Sequence, residues 1–261
     1  MSRLTISLGL LRSLVIYYGL PWRRRSLARF YRTLVPEGAL VFDVGAHVGS
    51  RTRSLLANGA HCVAIEPQPA FAQLLQKLFS SHPRVSLVTE AVGREPGQAK
   101  LHVSSRHPTV STLSSEWVSR VAPTRGFETV AWDQTVTVAV TTLDTLIAEH
   151  GLPAFCKIDV EGMEAEILSG LSVAIPIVAV EYIPATIDIA LTCVERLETL
   201  GAYEYNVSPG ETHTMHFTHW VDADTLVCEL QRIASDGVSS GDLYARLVDT
   251  TSIKTSMGSG S

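Results

Sequence analysis

Short apolar runs alternate with amphipathic segments through the first third of the chain. The runs at 39–44, 62–65 and 85–88 predict strands. The segments at 50–58 and 70–79, whose apolar residues recur at helical spacing, predict helices between them. This β-α-β-α-β order predicts a parallel sheet with crossover helices on both faces.

The same alternation resumes after a long interval. Helices are predicted at 143–150, 162–169, 185–200 and 223–235, and strands at 154–159, 175–180, 203–207, 214–218 and 243–248. The interval itself, residues 91–141, has strand-like pieces at 99–103 and 136–140 around a polar middle. We expect an antiparallel hairpin plus a flexible lid carrying Trp117 and Trp132, which either covers the sheet edge or takes a direct part in substrate binding.

The pattern divides the chain into an N-terminal helical extension (1–35), one α/β domain (36–250, with 91–141 as an insertion) and a disordered tail or linker (251–261). The extension includes an apolar stretch at 4–20, but Arg12 interrupts it and no small-residue cleavage site follows. We therefore expect neither a membrane span nor a signal peptide. Trp22 and three arginines come next; we favour a solvated basic helix face and keep peripheral contact with the inner membrane face as the alternative.

Composition and charge narrow the class of protein. A hydrophobic content of 46% with 18% charged residues is that of an ordinary globular protein. The net charge is -5 and the one basic cluster lies near the N-terminus, so no nucleic-acid partner is expected. The four cysteines are far apart and form no C-x-x-C, which indicates reduced thiols in a cytoplasmic protein.

Residues that could bind a ligand lie where the predicted strands end. Four acids stand at or near such ends: Asp43, Glu66, Asp159 and Glu181. In an open parallel sheet the ligand lies outside the carboxyl ends of the strands, and an acid at the Glu66 position can accept two hydrogen bonds from a ribose diol. The first turn reads D-x-G-x-x-x-G, with His47 where a dinucleotide fingerprint needs glycine, which argues against NAD.

A second stretch rich in charged residues, 156–166, begins within the predicted strand at 154–159. Alternation puts Lys157, Asp159 and Glu161 on one side, and a parallel strand covered on both faces should not carry three charges. We expect them at the open end of the strand, where water or a ligand meets them. Asp159 and Glu161 are predicted site residues. Glu164 and Glu166 are attributed to the first turn of the next helix, where acids suit the helix dipole.

Five motifs, taken in order and spacing, resemble the FkbM-type S-adenosylmethionine-dependent methyltransferases. They are VFDVGAHVGSRT at 41–52, AIEP at 64–67, EAVG at 90–93, TLDTL at 142–146 and KIDVEGME at 157–164. The resemblance implies a Rossmann-like, mostly parallel seven-stranded sheet of class I methyltransferase topology, with helices on both faces and an antiparallel last strand. It also implies O-methylation of a hydroxyl on a sugar, glycolipid or polyketide-like product.

The resemblance also places the cofactor. Asp43, Gly45 and Gly49 match the methionine side, Glu66 the ribose, and Glu90 with Ala91 the surroundings of the adenine. The predicted S-adenosylmethionine contacts are Asp43, Gly45, Ala46, His47, Gly49, Glu66, Pro67, Glu90, Ala91 and Asp159. His47 departs from the general class, which usually has glycine there, whereas FkbM-type members commonly have another residue, often asparagine.

Methyl transfer to a hydroxyl needs a group that removes the hydroxyl proton. The candidates are Asp159 or Glu161, with His47 and Glu181 behind them. Asp159 and Glu161 could also recruit a divalent ion, although the sequence does not require one. Two other functions are kept as alternatives: a nucleotide-sugar or NAD-dependent oxidoreductase, and a non-catalytic cofactor-binding module tethered to a membrane-associated assembly.

Overall fold

The computed structural model describes residues 21–237 and 240–248, with side chains from Arg24 onward. The apolar stretch at 4–20 and the tail at 251–261 lie outside the described residues. The first half of the α/β core consists of helix α1, Pro21–Arg32, followed by β1, Leu40–Val44, α2, Ser50–Leu56, β2, His61–Ile65, α3, Pro69–Phe79, and β3, Val85–Val88.

The insertion and the second half follow the same alternation. The insertion has β4, Ala91–Val92, β5, Gly97–Val103, α4, Ser115–Val121, and β6, Gln134–Thr141. The second half has α5, Leu143–His150, β7, Phe155–Ile158, α6, Glu164–Ser169, β8, Ile177–Tyr182, α7, Ile187–Leu200, β9, Tyr203–Pro209, α8, Ala223–Asp236, and β10, Gly241–Leu247.

The main sheet has seven strands in the order β3-β2-β1-β7-β8-β10-β9. Its strands are parallel except β10, which pairs antiparallel with β8 and with β9. The predicted Rossmann-like sheet with an antiparallel last strand is therefore confirmed. Because the order reverses between β1 and β7, the carboxyl ends of these two strands flank a crevice in which a ligand can lie.

Both faces of the sheet are covered, as the apolar runs predicted. Successive residues of β1 enter different cores: Phe42 and Val44 pack in the larger cluster, and Val41 packs in the other with Tyr31 and Phe155. This alternation is what a strand buried on both sides requires. Tyr31 belongs to the last turn of α1, so the N-terminal extension forms part of the second core.

Four arginines of α1 face away from that core. Arg24, Arg25, Arg29 and Arg32 are exposed, and Arg32 donates to the Asn58 side chain at 3.3 Å. Within 21–237 and 240–248, no helix combines the length and the apolar character that crossing a bilayer demands. Peripheral membrane contact through α1 stays a prediction.

Some predicted elements have other bounds in the structure, and one is absent; three of these differences have a clear local cause or setting. Helix α6 begins two residues later than predicted because Glu161 and Gly162 both have positive φ angles, of 60° and 96°. Helix α7 begins at Ile187, after a 3₁₀ turn at Pro184–Thr186. The predicted strand at 214–218 is absent. In its place, the Asn206 side chain donates to the carbonyl oxygen of Phe217 and accepts from its backbone N–H, so a side chain satisfies the groups that a neighbouring strand would otherwise bind.

The insertion forms a second sheet, with β5 and β6 antiparallel and β4 parallel to β6. Ser114 precedes helix α4 as its N-cap, and its side chain accepts from the backbone N–H of Trp117. Trp117 is fully buried against the turn that follows β7, where a Cβ added to Gly162 would lie 2.2 Å from the Trp117 ring. Glycine is therefore required where the insertion meets the core.

We predict that Gly162→Ala lowers the free energy of unfolding by more than about 1 kcal/mol. Alanine is strained at the positive φ of this position, and its Cβ would clash with the Trp117 indole. Gly97→Ala is the matched control: an added Cβ there has open space, and the change should stay within about 0.5 kcal/mol. Urea unfolding measures both. Equal stability of the two variants would contradict the packing described here.

Candidate active site

A cavity opens at the carboxyl ends of β1, β2 and β7, with about 490 Å³ of empty space. Six of the ten predicted cofactor residues line it: Gly45, His47, Glu66, Pro67, Ala91 and Asp159. Four are absent from its lining: Asp43, Ala46, Gly49 and Glu90.

Glu66 is buried at one side of the cavity. Its Oε2 accepts from the backbone N–H of His47 at 2.9 Å, and its Oε1 accepts from that of Gln68 at 2.8 Å. A carboxylate oxygen has two lone pairs, so each oxygen keeps one for a further donor. Burial raises the pKa of Glu66 to about 7, and this effect outweighs the two N–H donors, which lower the pKa.

The two glycines of the first turn have different neighbours. A Cβ on Gly45 would lie 2.0 Å from the carbonyl oxygen of Asp159, so glycine lets β1 and β7 approach each other closely at the cavity floor. A Cβ on Gly49 would instead lie 2.6 Å from the ring of Phe79 on α3. The second glycine therefore serves helix packing, which the sequence pattern did not distinguish from ligand approach.

Asp43 and His47 lie on either side of that turn. Asp43 is buried beneath it and accepts from the Thr52 hydroxyl at 2.5 Å; burial raises the pKa of Asp43. Its Oδ1 is buried and has no hydrogen-bond partner among the described residues. The His47 ring packs against Phe71, 5.3 Å between centroids, and burial lowers the pKa of His47 although Asp159 acts to raise it.

Two ion pairs stand at the sheet end, and the sequence indicated neither. Arg51 Nη1 lies 2.8 Å from Asp159 Oδ2, and Lys157 Nζ lies 2.8 Å from Asp242 Oδ1 on β10. Lys157 was expected to meet water or a ligand, but it is fully buried. The prediction was wrong because Asp242, from a strand far along the chain, supplies the counter-charge.

The basic groups of the two ion pairs keep Asp159 ionised. Burial alone would raise its pKa, but Arg51 and Lys157 together hold the pKa well below its usual range. Burial would likewise lower the pKa of Lys157, but Asp242 and Asp159 keep it raised. Asp159 is therefore an ionised carboxylate held in a fixed position at the cavity.

Glu161 and Glu181 complete an acidic trio with Asp159, the name used below for these three side chains. One carboxylate oxygen of each lies within 4.8 Å of the others. Burial, followed by the charge of Asp159, raises the pKa of both glutamates well above the usual value. The structure thus brings together three of the four predicted catalytic residues, and the fourth, His47, lines the same cavity as Asp159.

A smaller cavity, with about 200 Å³ of empty space, adjoins the trio. Its lining comprises Trp117, Gly162, Glu164, Glu181, Ile183, Thr186 and Ile189. Trp117 Nε1 is a buried donor without a hydrogen-bond partner among the described residues. Because Asp159 lines the first cavity and Glu181 the second, the acidic trio connects the two.

The sequence assigned Glu164 to a favourable interaction with the helix dipole, but in the structure the residue accepts specific hydrogen bonds. It is buried, and its two oxygens accept from the backbone N–H groups of Val160 at 3.1 Å and Gly162 at 3.0 Å. Burial raises the pKa of Glu164 to about 7. It therefore fixes the turn that carries Glu161.

The insertion supplies part of the wall of the first cavity. Leu101, Ser111, Thr112 and Leu113 line it, and the Thr112 hydroxyl donates to the carbonyl oxygen of Glu161 at 2.6 Å. No motif marks these residues in the sequence. Their position follows from how the β5–β6 hairpin folds back over the sheet end.

Comparison with known proteins gives a family match over most of the core. A family model described as "Methyltransferase FkbM domain" matches residues 43–199, more than half of the chain. A stretch of 52 residues is 42% identical to ribosomal RNA small subunit methyltransferase A of Synechococcus sp. (strain JA-3-3Ab), covering 20% of this chain and 19% of that protein. The chain thus spans about a fifth of the length of the curated relatives it matches.

Similar solved structures are distant in sequence. Precorrin-6y C5,15-methyltransferase from Geobacter metallireducens GS-15 is 13% identical with a TM-score of 0.44, covering 85% of this chain and 87% of that one. A TehB-like SAM-dependent methyltransferase from Corynebacterium glutamicum ATCC 13032 Kitasato is 10% identical with a TM-score of 0.43, covering 85% and 88%. At these values the likeness says nothing about which molecule is methylated.

We predict that Asp242→Ala lowers the free energy of unfolding by about 3 kcal/mol, because it leaves the buried Lys157 ammonium without its nearest partner. Asp236→Ala is the control, since it breaks the exposed pair with Arg232 and should cost less than about 1 kcal/mol. Urea unfolding of both variants checks this. A cost for Asp242→Ala no larger than the control's would contradict it.

Proposed function

Because the chain belongs to the FkbM family of S-adenosylmethionine-dependent methyltransferases, we propose that it methylates a hydroxyl of a sugar, glycolipid or polyketide-like acceptor. One observation carries this proposal: Asp159, in the larger cavity, is joined to Glu161 and Glu181 at the opening to the smaller one. Carboxylates at this junction stand where an acceptor hydroxyl would meet the cofactor and lose its proton.

The larger cavity has the features that the cofactor requires. Glu66 lines the cavity, and each of its carboxylate oxygens keeps a lone pair for a ribose hydroxyl. S-adenosylmethionine, when bound, supplies a methyl group on a positively charged sulfur. His47 lines the cavity and occupies the position at which a dinucleotide-binding fingerprint needs glycine. This argues against an NAD-dependent oxidoreductase.

The proposed methyl transfer needs one base from the protein. Bound S-adenosylmethionine would supply the methyl group to the acceptor oxygen and keep the electron pair of the carbon–sulfur bond, and a carboxylate of the trio would take the hydroxyl proton. Asp159 is engaged by Arg51, so we assign it to orienting the acceptor. Glu161 Oε2 has no hydrogen-bond partner among the described residues, so we assign the proton to the ionised form of Glu161, whose raised pKa makes it the stronger base. Glu181 and His47 support these two.

The charges at the junction also favour a neutral acceptor over nucleic acid. Three carboxylates face one another there, and the chain has a net charge of -5. Nucleic-acid binding depends on basic groups that neutralise phosphates, which an acidic junction would repel. The smaller cavity adds an indole donor at Trp117, a group that suits a hydroxyl-rich acceptor.

The proposal is tested with methyl-labelled S-adenosylmethionine and a panel of monosaccharides, nucleotide sugars, glycolipids, polyketides and ribosomal RNA. We expect label in a base-stable ether of a hydroxyl acceptor, and calorimetric binding of S-adenosylmethionine but not of NAD. Transfer to RNA alone, or binding of NAD alone, would refute the assignment.

We predict that Glu161→Gln lowers kcat at least a hundredfold while S-adenosylmethionine affinity stays near the wild-type value, because Glu161 does not line the cofactor cavity. Glu166→Gln, an exposed change on the same helix–turn unit, is the control and should leave kcat unchanged. Steady-state rates and calorimetry measure the two quantities. Wild-type turnover of Glu161→Gln would remove Glu161 from the reaction.

We predict that Glu66→Gln weakens S-adenosylmethionine binding about tenfold, since it loses charge-assisted bonds to the ribose. A diol binds the ionised carboxylate, and the pKa of Glu66 is raised to about 7 by burial. Wild-type affinity should therefore fall as pH decreases through 7, and the variant should lack this dependence. Calorimetry from pH 5.5 to 8.5 checks it, with the exposed Glu95→Gln as control. The same pH profile in wild type and Glu66→Gln would contradict this role.

A further inference from the structure

The acidic trio also has the composition of a cation site. Asp159 and Glu161 follow β7 and Glu181 belongs to the neighbouring β8, so two adjacent strand ends supply all three carboxylates. We propose that the trio binds one hard divalent cation of the Mg²⁺ type, at the junction of the two cavities. Carboxylate oxygens are the protein ligands that such cations prefer.

The charge balance around the trio supports a bound cation. Arg51 pairs with Asp159, and Lys157 pairs with Asp242, each at 2.8 Å. Neither Glu161 nor Glu181 forms an ion pair with a basic side chain in the described part of the chain. Buried carboxylates need a partner for their charge, and the local cations already have partners.

Glu161 gives independent evidence for a ligand. The residue is only 9% exposed, and its Oε2 is buried with no hydrogen-bond partner among the described residues. Its backbone is held on both sides, by the Thr112 hydroxyl on its own carbonyl and by Glu164 on the N–H of Gly162. A buried carboxylate oxygen fixed in this way and left without a donor is suited to a metal ion.

A divalent ion fits the trio better than the other candidate, the ammonium group of an amine substrate. When Glu161 and Glu181 are ionised, both lack a counter-charge, and one Mg²⁺-type ion neutralises both whereas one ammonium neutralises a single charge. All three donors are oxygens, and no histidine or cysteine belongs to the trio. This donor set selects hard cations over zinc or copper.

The position of the site suggests what the ion does. It would lie where Asp159 faces the cofactor cavity and Glu181 faces the smaller cavity. A divalent ion that contacts an acceptor hydroxyl lowers the pKa of that hydroxyl and orients it. This role rests on the O-methyltransferase function proposed above, whereas cation binding itself does not.

The test uses the full chain, stripped with EDTA and exchanged into metal-free buffer. Mn²⁺ is titrated while electron paramagnetic resonance records the free ion, and Mg²⁺ is then added as competitor. We expect one saturable Mn²⁺ per chain that Mg²⁺ displaces. Glu161→Gln and Glu181→Gln should each weaken binding at least tenfold, and the exposed Glu166→Gln should bind as wild type does.

The outcomes separate the site from the reaction. Absence of saturable Mn²⁺ binding by wild type, wild-type binding by both glutamine variants, or saturable methylammonium binding without Mn²⁺ binding would each overturn the metal site. The wild-type titration decides the question if a variant fails to fold. Unchanged methyl transfer in EDTA overturns the catalytic role of the ion and leaves the proposed function. Saturable Mn²⁺ binding without transfer to any hydroxyl acceptor supports the site and removes that function.

Discussion

Two ion pairs hold together the carboxyl end of the main sheet. Arg51 of α2 pairs with Asp159 after β7, and Lys157 of β7 pairs with Asp242 of β10. Both pairs are largely shielded from water, so each charge depends on its partner far more than an exposed charge would. The position of Asp159 decides the site, because its carbonyl lies against Gly45 and the residue lines the larger cavity while belonging to the acidic trio.

The local pattern of the sequence was sufficient for the fold and for one half of the site. Apolar runs ending in acids predicted the strand ends, and a parallel sheet brings such ends to one edge, so Asp159, Glu161 and Glu181 could be expected near each other. The FkbM motifs, which the family match confirms, identified the class of enzyme. Glu66 could be found because it depends only on the neighbouring strand.

The other half of the site depends on contacts that no local pattern contains. Lys157 looked like a residue at an open strand end, and only the return of β10 beside β8 brings Asp242 to it. Gly49 looked like a ligand-facing glycine, yet its close neighbour is Phe79 of α3. Thr112 belongs to an insertion without a motif, and its bond to the Glu161 carbonyl exists only because the hairpin folds back over the sheet.

The proposed reaction requires that the acidic trio face the reacting atoms of the bound cofactor. The most direct measurement is a crystal structure of the protein with S-adenosylhomocysteine. We expect the ribose hydroxyls on Glu66 and the sulfur directed toward Asp159 at the opening to the smaller cavity. A ligand bound elsewhere, or a sulfur directed away from the trio, would contradict the claim.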